Sequence, residues 1–294
     1  MVKAENILVT GSNGQLGQSL LELSSGFKHY NFFFNSRKDL DITDFKRVED
    51  YIEKQKISTI INCAAYTNVM KAEDEFFLAN LINNLSVENL ANLCYEKSIK
   101  LIHISTDYVF DGKKSHSYNE NDMTNPLNNY GLTKCKGEEK ILKLDLKNSL
   151  IIRTSWLYSK SENNFVTKII KKILLKESFG VTNREFGSPT WSTDLAKAIL
   201  SAIPKIKNNK VKIYHFSNLG NCSRFEFANE INKLINKKNF IKPIFMINDN
   251  IVRPKNSSLD PQNFSSDFDI KINPWKDSLK NHITNMKMLI NEKL

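Results

Sequence analysis

The sequence predicts an α/β fold with a doubly wound parallel sheet, and two observations in its first half support that prediction. Short apolar runs alternate with stretches whose apolar residues recur at intervals of three or four, which is the pattern of βαβ units. Polar and glycine-containing segments follow the apolar runs, at the edge where parallel sheets bind their ligands. The predicted strands span 6–10, 29–36, 58–65, 100–106 and 149–156.

The stretches between these strands predict helices with one apolar face. They span 15–24, 43–56, 72–97 and 131–144, and Thr43 is expected to cap the second of them. After Trp156 the pattern is mixed, and we predict helices over 165–176, 193–203, 225–235 and 276–292, a strand over 212–218, and loops over 182–191 and 253–264. We therefore expect a sheet domain over residues 1–156, with returning segments near 190–220, and a smaller α/β region over 157–294 that mainly binds substrate.

The composition is that of an ordinary soluble globular protein, with 40% hydrophobic and 25% charged residues. No apolar run approaches the roughly 18 residues that a membrane span needs. The N-terminus also lacks the pattern of a secretory signal, so we expect a cytoplasmic protein without a membrane partner. The four cysteines and five histidines are dispersed, without metal-ligand spacing, so no metal is expected.

The net charge of +10 raises the question of a nucleic-acid partner. Only six of the 42 basic residues are arginine, the residue that nucleic-acid-binding proteins favour for bidentate contacts. The lysines are spread along the chain rather than clustered. We therefore expect no nucleic-acid partner and regard an anionic small molecule as the better explanation of the basic surface.

A glycine turn, GSNGQLG at 11–17, joins the first predicted strand to the first helix. Its glycines allow a tight turn and a close approach of the backbone to a pyrophosphate, and the helix behind it offers free N–H groups. The spacing is G-x-x-G-x-x-G rather than the standard G-x-G-x-x-G, and a connection that merely needs flexibility has the same composition. Its position directly after an apolar strand favours a Rossmann-type dinucleotide site.

The end of the second predicted strand distinguishes NADPH from NADH. A carboxylate there accepts hydrogen bonds from the ribose hydroxyls, whereas a basic residue accommodates the 2′-phosphate. The strand is followed by Ser36, Arg37 and Lys38, with no carboxylate before Asp39. We predict that NADPH is preferred, with Ser36 and Arg37 at the phosphate and NADH as the alternative cofactor; Arg37 as a solvated loop charge stays open.

Tyr130 and Lys134 form a Tyr-x-x-x-Lys pair, whose members share one face of a helix. A lysine ammonium in that position can lower the pKa of the phenol, which then serves as a general acid towards a carbonyl oxygen. With nine tyrosines in a lysine-rich chain, about one such pair is expected by chance. The context adds weight, because Thr106 ends the fourth strand and offers a hydroxyl that can stabilise charge on the same oxygen. His103 is interpreted as a strand residue without a role.

Seven segments, in order, resemble those of the dTDP-4-dehydrorhamnose reductases, a family of extended short-chain dehydrogenase/reductases. They are GSNGQLG (11–17), NCAAYTNVMKAE (62–73), HISTDYVFDG (103–112), NNYGLTK (128–134), RTSW (153–156), FGSPTW (186–191) and RPKNSSLD (253–260). The resemblance covers nearly the whole chain, and the last two segments are more specific than the glycine turn. It implies reduction of the 4-keto group of dTDP-4-dehydro-L-rhamnose by NAD(P)H, the last step of dTDP-L-rhamnose synthesis for cell-surface polysaccharide.

The resemblance also implies roles for individual residues. Tyr130 would be the proton donor, Lys134 its pKa tuner and nicotinamide-ribose ligand, and Thr106 the hydroxyl that orients the keto oxygen. The expected cofactor contacts are Gly11, Asn13, Gly14, Gln15, Leu16 and Gly17 at the pyrophosphate, Asp41 and Ile42 near the adenine, and Ala64, Ala65 and Tyr66 beside the cofactor. The expected substrate contacts are Thr106, Asp107, Tyr130 and Trp156 at the sugar and Arg253 at the diphosphate. Trp156 as a core aromatic and Asp107 as a turn cap stay open.

Two rival functions remain. Sugar-nucleotide dehydratases of this superfamily carry Thr-Asp-Glu at the fourth strand, whereas this chain has Thr106-Asp107-Tyr108, which favours simple reduction. Reduction of another nucleotide-linked 4-keto-deoxysugar is the first alternative. A non-catalytic regulatory subunit on the same fold is the second, and the intact Thr106, Tyr130 and Lys134 argue against it. The protein is expected to be a monomer or a homodimer.

Overall fold

The computed structural model describes residues 5–161, 163–235, 241–245 and 251–291, with side chains to residue 286. Its strands are β1 (Glu5–Thr10), β2 (Tyr30–Asn35), β3 (Thr59–Asn62), β4 (Lys100–Thr106), β5 (Leu150–Thr154), β6 (Leu157–Tyr158), β7 (Phe179–Thr182), β8 (Phe186–Gly187), β9 (Thr190–Trp191), β10 (Lys212–His215), β11 (Cys222–Ser223) and β12 (Ile241–Ile244). Its α-helices are α1 (Gln15–Ser24), α2 (Phe45–Lys54), α3 (Lys71–Asp74), α4 (Phe76–Asn80), α5 (Ser86–Glu96), α6 (Asn129–Leu142), α7 (Phe165–Leu174), α8 (Ser192–Ala202), α9 (Arg224–Ile235), α10 (Gln262–Phe268) and α11 (Trp275–Asn291).

A parallel sheet of six strands organises the described part of the chain, in the order β10-β5-β4-β3-β1-β2. The chain order runs outwards in both directions from the central pair β1 and β3, so the sheet is doubly wound and the predicted fold class is confirmed. Because all six strands run the same way, the residues that follow β1, β3 and β4 meet at one edge. That edge carries the site.

Both faces of the sheet are covered, which explains why its strands are continuous apolar runs. Alternate residues of β1 point to opposite faces. Ile7 and Val9 pack in a core with α1 and α8, whereas Leu8 packs with α2 and α5 on the other side. All three side chains are fully buried. Burial of each contributes roughly 1.5–3 kcal/mol to folding.

The region after β5 builds a second, smaller core from α7, α9 and α11 with the short strands between them. Tyr158, Val166, Phe227 and Leu279 are fully buried in it. The pairing of β6 with β9 adjoins this core, and β10 returns to the edge of the main sheet beside β5. Among the described helices, none combines the length and apolar character that crossing a membrane requires.

Three local predictions are wrong in detail. The helix predicted over 72–97 is broken into α3, α4, a π-helical turn at Leu81–Leu85 and α5. Helix α2 is capped by Asp44, whose carboxylate accepts from the Arg47 amide, because the Thr43 hydroxyl is already bonded to Asp41. The loop predicted over 182–191 contains β8 and β9, which pair with distant segments that sequence periodicity does not reveal.

Candidate active site

The glycine turn between β1 and α1 is pressed against the segment that follows β3. Gly11 has a φ of 64°, and a Cβ there would lie 2.7 Å from the Ala64 nitrogen. A Cβ on Gly17 would lie 2.6 Å from the Gly11 carbonyl oxygen. These glycines are therefore required by close backbone approach and not only by flexibility. Helix α1 begins at Gln15, with Gly14 as its N-cap. It has neither a side-chain cap nor an acidic residue in its first turn, so its first N–H groups are available to an anion.

The remaining residues of the turn divide into exposed and buried ones. Asn13 is exposed, while the Leu16 side chain belongs to the core and only its backbone faces the turn. Gln15 ties the turn to the second half of the chain, because its amide donates to the Leu157 carbonyl at 3.3 Å and accepts from the Ser159 hydroxyl at 3.1 Å. Gln15 therefore lies where the two halves of the protein meet.

In the segment after β2, the hydrogen-bond donors are bonded to carboxylates of the same segment. The Ser36 amide and hydroxyl donate to Asp39 at 2.9 and 2.6 Å, and these two bonds lower the pKa of Asp39. Arg37 is exposed and its Nε lies 3.0 Å from an Asp41 carboxylate oxygen. Ile42 is buried in the core, so only its backbone is available to an adenine. Ser36 and Arg37 thus lie side by side at the end of β2, but a 2′-phosphate would have to replace these two carboxylates.

Asn83 fixes the backbone beside the glycine turn. Its side chain accepts from the Tyr66 amide at 2.9 Å and donates to the Tyr66 carbonyl at 3.0 Å. It also donates to the Thr133 hydroxyl at 3.2 Å, which links the segment to α6. Asn83 lies in the π-helical turn and is buried. The Ala64–Ala65–Tyr66 segment is therefore held in place by a side chain that the sequence analysis did not single out.

Tyr130 meets Thr106 where α6 packs on the turn after β4. Asn128 caps α6 by accepting from the Gly131 amide at 2.9 Å, and a Cβ on Gly131 would overlap the Tyr108 carbonyl oxygen. This close packing sets the Tyr130 phenol near the Thr106 side chain. Burial raises the pKa of Tyr130, and hydrogen bonding to Thr106 opposes that rise. Thr106 and Tyr130 are therefore brought together, and their catalytic roles stay predictions.

Lys134 is buried beneath this pair and is held by β4. Its Nζ lies 2.7 Å from the Ile104 carbonyl oxygen and 3.1 Å from His103 Nε2. Burial lowers the pKa of Lys134 to about 8, while Glu138 and Cys63 oppose that shift. The groups that shift the pKa of Tyr130 besides burial are Thr106, Asp107 and Tyr108. A lowering of that pKa by Lys134 thus stays a prediction, and His103, given no role from sequence, contacts the lysine directly.

Asp107 and Tyr108 lie close to two arginines, and Trp156, for which a substrate contact was also predicted, packs against one of them. Asp107 is buried, which raises its pKa to about 6, and it accepts from Thr106 at 3.1 Å. The Tyr108 ring packs edge-on to Tyr130 with the ring centroids 5.6 Å apart. Arg224 and Arg253 both lie close enough to the Tyr108 phenol to lower its pKa, against a larger rise from burial.

Trp156 occupies a strained position in this group. It is half-buried with a φ of 46°, a conformation that bulky side chains rarely adopt. The Arg224 guanidinium carbon lies 3.6 Å from the centre of its ring, and Gly187 is packed so tightly against the indole that a Cβ would overlap it. Such strain is characteristic of functional sites. Arg224, at the first position of α9, was missed from sequence because a single arginine in a helical pattern carries no signal.

The described residues contain no group of three or more His, Cys, Asp or Glu side chains arranged to hold a metal ion.

Comparison with known proteins identifies the family. The protein-family model described as RmlD substrate binding domain matches residues 5–288 of this chain. The dTDP-4-dehydrorhamnose reductase of Aggregatibacter actinomycetemcomitans is 35% identical over 286 residues, which are 94% of this chain and 97% of the relative. The chain belongs to the dTDP-4-dehydrorhamnose reductase family. The resemblance inferred from the seven segments is confirmed.

Two further similar proteins, one of them a crystal structure, bear on the cofactor and the substrate. A crystal structure of dTDP-4-dehydrorhamnose reductase from Bacillus anthracis str. Ames in complex with NADP has a TM-score of 0.90 and 35% identity, covering 96% of this chain and 99% of that one. A dTDP-4-keto-6-deoxy-D-glucose reductase of Streptomyces niveus is 37% identical over 221 residues, which are 75% of both chains. The reductase family thus includes relatives named for different keto-sugars.

Proposed function

We propose that the protein reduces the 4-keto group of dTDP-4-dehydro-L-rhamnose to dTDP-L-rhamnose with NADPH, the last step of dTDP-L-rhamnose synthesis. The observation that supports this most is the packing of α6 on β4, which holds Lys134 Nζ 2.7 Å from the Ile104 carbonyl oxygen and sets the Tyr130 phenol close enough to Thr106 for that side chain to lower its pKa. A phenol and a hydroxyl this close can both reach one carbonyl oxygen. Family membership supports the choice of substrate.

The glycine turn fits the pyrophosphate of this cofactor, since it combines uncapped N–H groups with a backbone that no Cβ obstructs. Bound NADPH would supply the hydride. Lys134, fixed to β4, would donate to the nicotinamide ribose, and Ala64, Ala65 and Tyr66 would flank the cofactor. Ser36 and Arg37 would exchange their bonds to Asp39 and Asp41 for bonds to the 2′-phosphate.

The proton in this reaction would come from Tyr130. Its raised pKa keeps the phenol protonated at neutral pH, which suits a general acid. Thr106 would hold the keto oxygen, and Asp107 and Trp156 would contact the sugar. No glutamate stands at position 108, where the related dehydratases carry their acid–base group, so the site is suited to reduction alone.

Arg224 and Arg253 would bind the diphosphate of the nucleotide sugar. Both lower the pKa of the Tyr108 phenol, which places positive charge from two arginines near the residue that follows Asp107. Guanidinium groups match phosphate oxygens in geometry and charge. Residues 1–156 would then bind the cofactor and 157–294 mainly the sugar nucleotide. We propose that the protein is a cytoplasmic enzyme that acts as a monomer or homodimer.

A second candidate is reduction of dTDP-4-keto-6-deoxy-D-glucose, which the name of the Streptomyces niveus relative favours. The two ketones differ in the configuration of their ring carbons, and the residues identified above recognise features that both share. Selectivity between them therefore needs a direct measurement.

The experiment is to follow NADPH absorbance with each ketone, prepared enzymatically, using the purified protein alone. We expect a higher kcat/KM with dTDP-4-dehydro-L-rhamnose than with the glucose-derived ketone, and a lower KM for NADPH than for NADH. The reverse order of ketones would replace the first candidate with the second. Absence of turnover with both, together with an obligate protein partner, would instead support the regulatory subunit.

A further inference from the structure

A chain of buried hydrogen bonds runs from the segment after β3 to Lys134. Thr10 Oγ1 lies 2.6 Å from Asn62 Oδ1, and Asn62 Nδ2 lies 3.1 Å from His103 Nδ1. His103 Nε2 lies 3.1 Å from Lys134 Nζ, which lies 2.7 Å from the Ile104 carbonyl oxygen. Each of the four side chains is essentially excluded from solvent. These groups can therefore satisfy one another only in a definite pattern of donors and acceptors.

The Thr10 end of this chain fixes its direction. Thr10 Oγ1 accepts from the Ala64 amide at 3.4 Å, and its separation of 2.6 Å from Asn62 Oδ1 is that of an O–H···O bond rather than an N–H···O bond, so the Thr10 hydroxyl donates to Asn62. The Asn62 amide group is thereby oriented with Nδ2 towards His103 Nδ1. At the other end the Ile104 carbonyl accepts from Lys134 whether the lysine is charged or not.

This direction determines where His103 carries its proton. A ring nitrogen that accepts from an amide N–H is unprotonated, so a neutral ring must carry its hydrogen on Nε2. Burial holds the pKa of His103 well below its ordinary value, and the ring is therefore neutral. The Nε2 hydrogen points at Lys134 Nζ.

A lysine nitrogen has a lone pair that can accept this hydrogen bond only as an uncharged amine, because the ammonium has donors alone. The amine can still donate to the Ile104 carbonyl. We propose that His103 is a positioning residue for Lys134: held as the Nε2–H tautomer by Asn62 and Thr10, it donates to the lysine nitrogen and favours the uncharged amine in the free enzyme.

Other groups around Lys134 act in the opposite direction. Glu138, one turn further along α6, and Cys63, after β3, both favour the charged lysine. The Glu138 carboxylate is itself bound to Arg153, with Nη2 at 2.6 Å, and to the Ser105 hydroxyl. Most of its charge is therefore compensated by a partner other than Lys134. His103, on β4, opposes Glu138 and Cys63 because its Nε2–H favours the uncharged lysine.

The consequence for turnover rests on the proposed function. If Lys134 must carry its proton to assist Tyr130, activity falls as pH rises through the pKa of Lys134. A donor at His103 Nε2 moves that alkaline limb to lower pH, and a change of tautomer moves it to higher pH.

The first test is ¹⁵N NMR of the free protein labelled at histidine, with His103→Gln used to assign the resonance. We expect the His103 ring at pH 9, above the Lys134 pKa of about 8, to be protonated on Nε2 and unprotonated on Nδ1. A ring protonated on Nδ1, or on both nitrogens, would overturn the proposal. This measurement needs no substrate, so it stands even if the proposed reaction is wrong.

The second test removes the hydroxyl that orients Asn62 without changing charge. Thr10→Val is expected to increase the Nδ1–H tautomer of His103 and to shift the alkaline limb of kcat/KM upward by about half a pH unit or more. Thr59→Val is the matched control, since Thr59 is equally buried, lies on neighbouring β3, and has a hydroxyl outside this chain of bonds. An unchanged tautomer and limb in Thr10→Val would contradict the proposal, whereas normal turnover in that variant would leave the reductase function intact.

Discussion

Two requirements act on Tyr130: its phenol must keep its proton in the free protein and must release that proton in the reaction. Burial favours the neutral phenol, and the Thr106 hydrogen bond offsets that effect in part. In the free protein the balance lies with the protonated form, which a general acid requires before the hydride arrives. The neighbouring lysine, by contrast, is bonded to β4. The residue that loses the proton and the residue that affects its recovery thus both lie on α6, and both are held against β4.

We expect Tyr130→Phe to lower kcat at least about a hundredfold in the NADPH assay, because the ring is retained and only the acidic hydroxyl is lost. Tyr95→Phe is the matched control, since Tyr95 is exposed on α5 and its loss should leave kcat unchanged. An activity within a few-fold of the parent in Tyr130→Phe would remove the phenol from the mechanism.

Arg224 gives a second prediction at this scale, because its guanidinium lies on the Trp156 ring and near Tyr108. Arg224→Gln should raise the KM for the nucleotide sugar by about tenfold or more, the value of a charge-assisted hydrogen bond, while the KM for NADPH stays the same. Lys172→Gln is the control, since it removes a cation that lies over Phe179 instead. An unchanged KM for the sugar would limit Arg224 to packing.

At the scale of elements, α6 and the π-helical turn must touch through backbone. A Cβ on Gly137 would overlap the Asn83 carbonyl oxygen, so the helix and the turn can approach only at a glycine. The same turn presents the Asn83 side chain to Tyr66 and Thr133. The break in the predicted helix therefore connects the Ala64–Ala65–Tyr66 segment, through Asn83, with the helix that carries Tyr130.

Gly137→Ala should lower the free energy of unfolding by about 1–3 kcal/mol, because the overlap outweighs the better helix propensity of alanine. Urea denaturation measures this. Gly26→Ala is the control, since its Cβ would meet its nearest neighbour at an ordinary 3.4 Å and should be neutral or slightly stabilising. Equal stability of the two variants would show that α6 can move away from the turn.

At the scale of the whole molecule, buried histidines make stability depend on pH. Burial lowers the pKa of His215 to about 3 and of His282 to about 4, whereas an unfolded histidine titrates near pH 6.5. The unfolded chain therefore binds more protons below that pH. Their contribution is fully present above pH 6.5 and is lost as pH falls towards the folded values. Asp107 offsets part of this loss, because its pKa is raised to about 6.

We expect the free energy of unfolding to fall between pH 7 and pH 5, with His282 accounting for on the order of 2 kcal/mol. Urea denaturation of His282→Gln at both pH values should show a difference smaller by that amount, and the exposed His116→Gln should not. A pH dependence identical in His282→Gln and the parent would mean that His282 titrates normally.

The sequence by itself determined the α/β class, because strands buried on both faces leave continuous apolar runs and their helices leave a period of three to four. It also determined the family, and it predicted the glycine turn and the Thr106, Tyr130 and Lys134 set, since these lie in short segments whose neighbours along the chain define them. Asp39 and Asp41, the carboxylates bonded to Ser36 and Arg37, lie within a few residues of them along the chain. The geometry of these bonds does not follow from the sequence spacing.

Only the tertiary structure decided which distant residues complete the site. Asn83, His103 and Arg224 act on groups that lie in other strands and helices, and their sequence surroundings resemble those of ordinary core or surface residues. The physical reason is that hydrogen-bond direction, burial and the strained backbone of Trp156 arise when separate elements pack together. Periodicity specifies the face of an element, and packing specifies what that face meets.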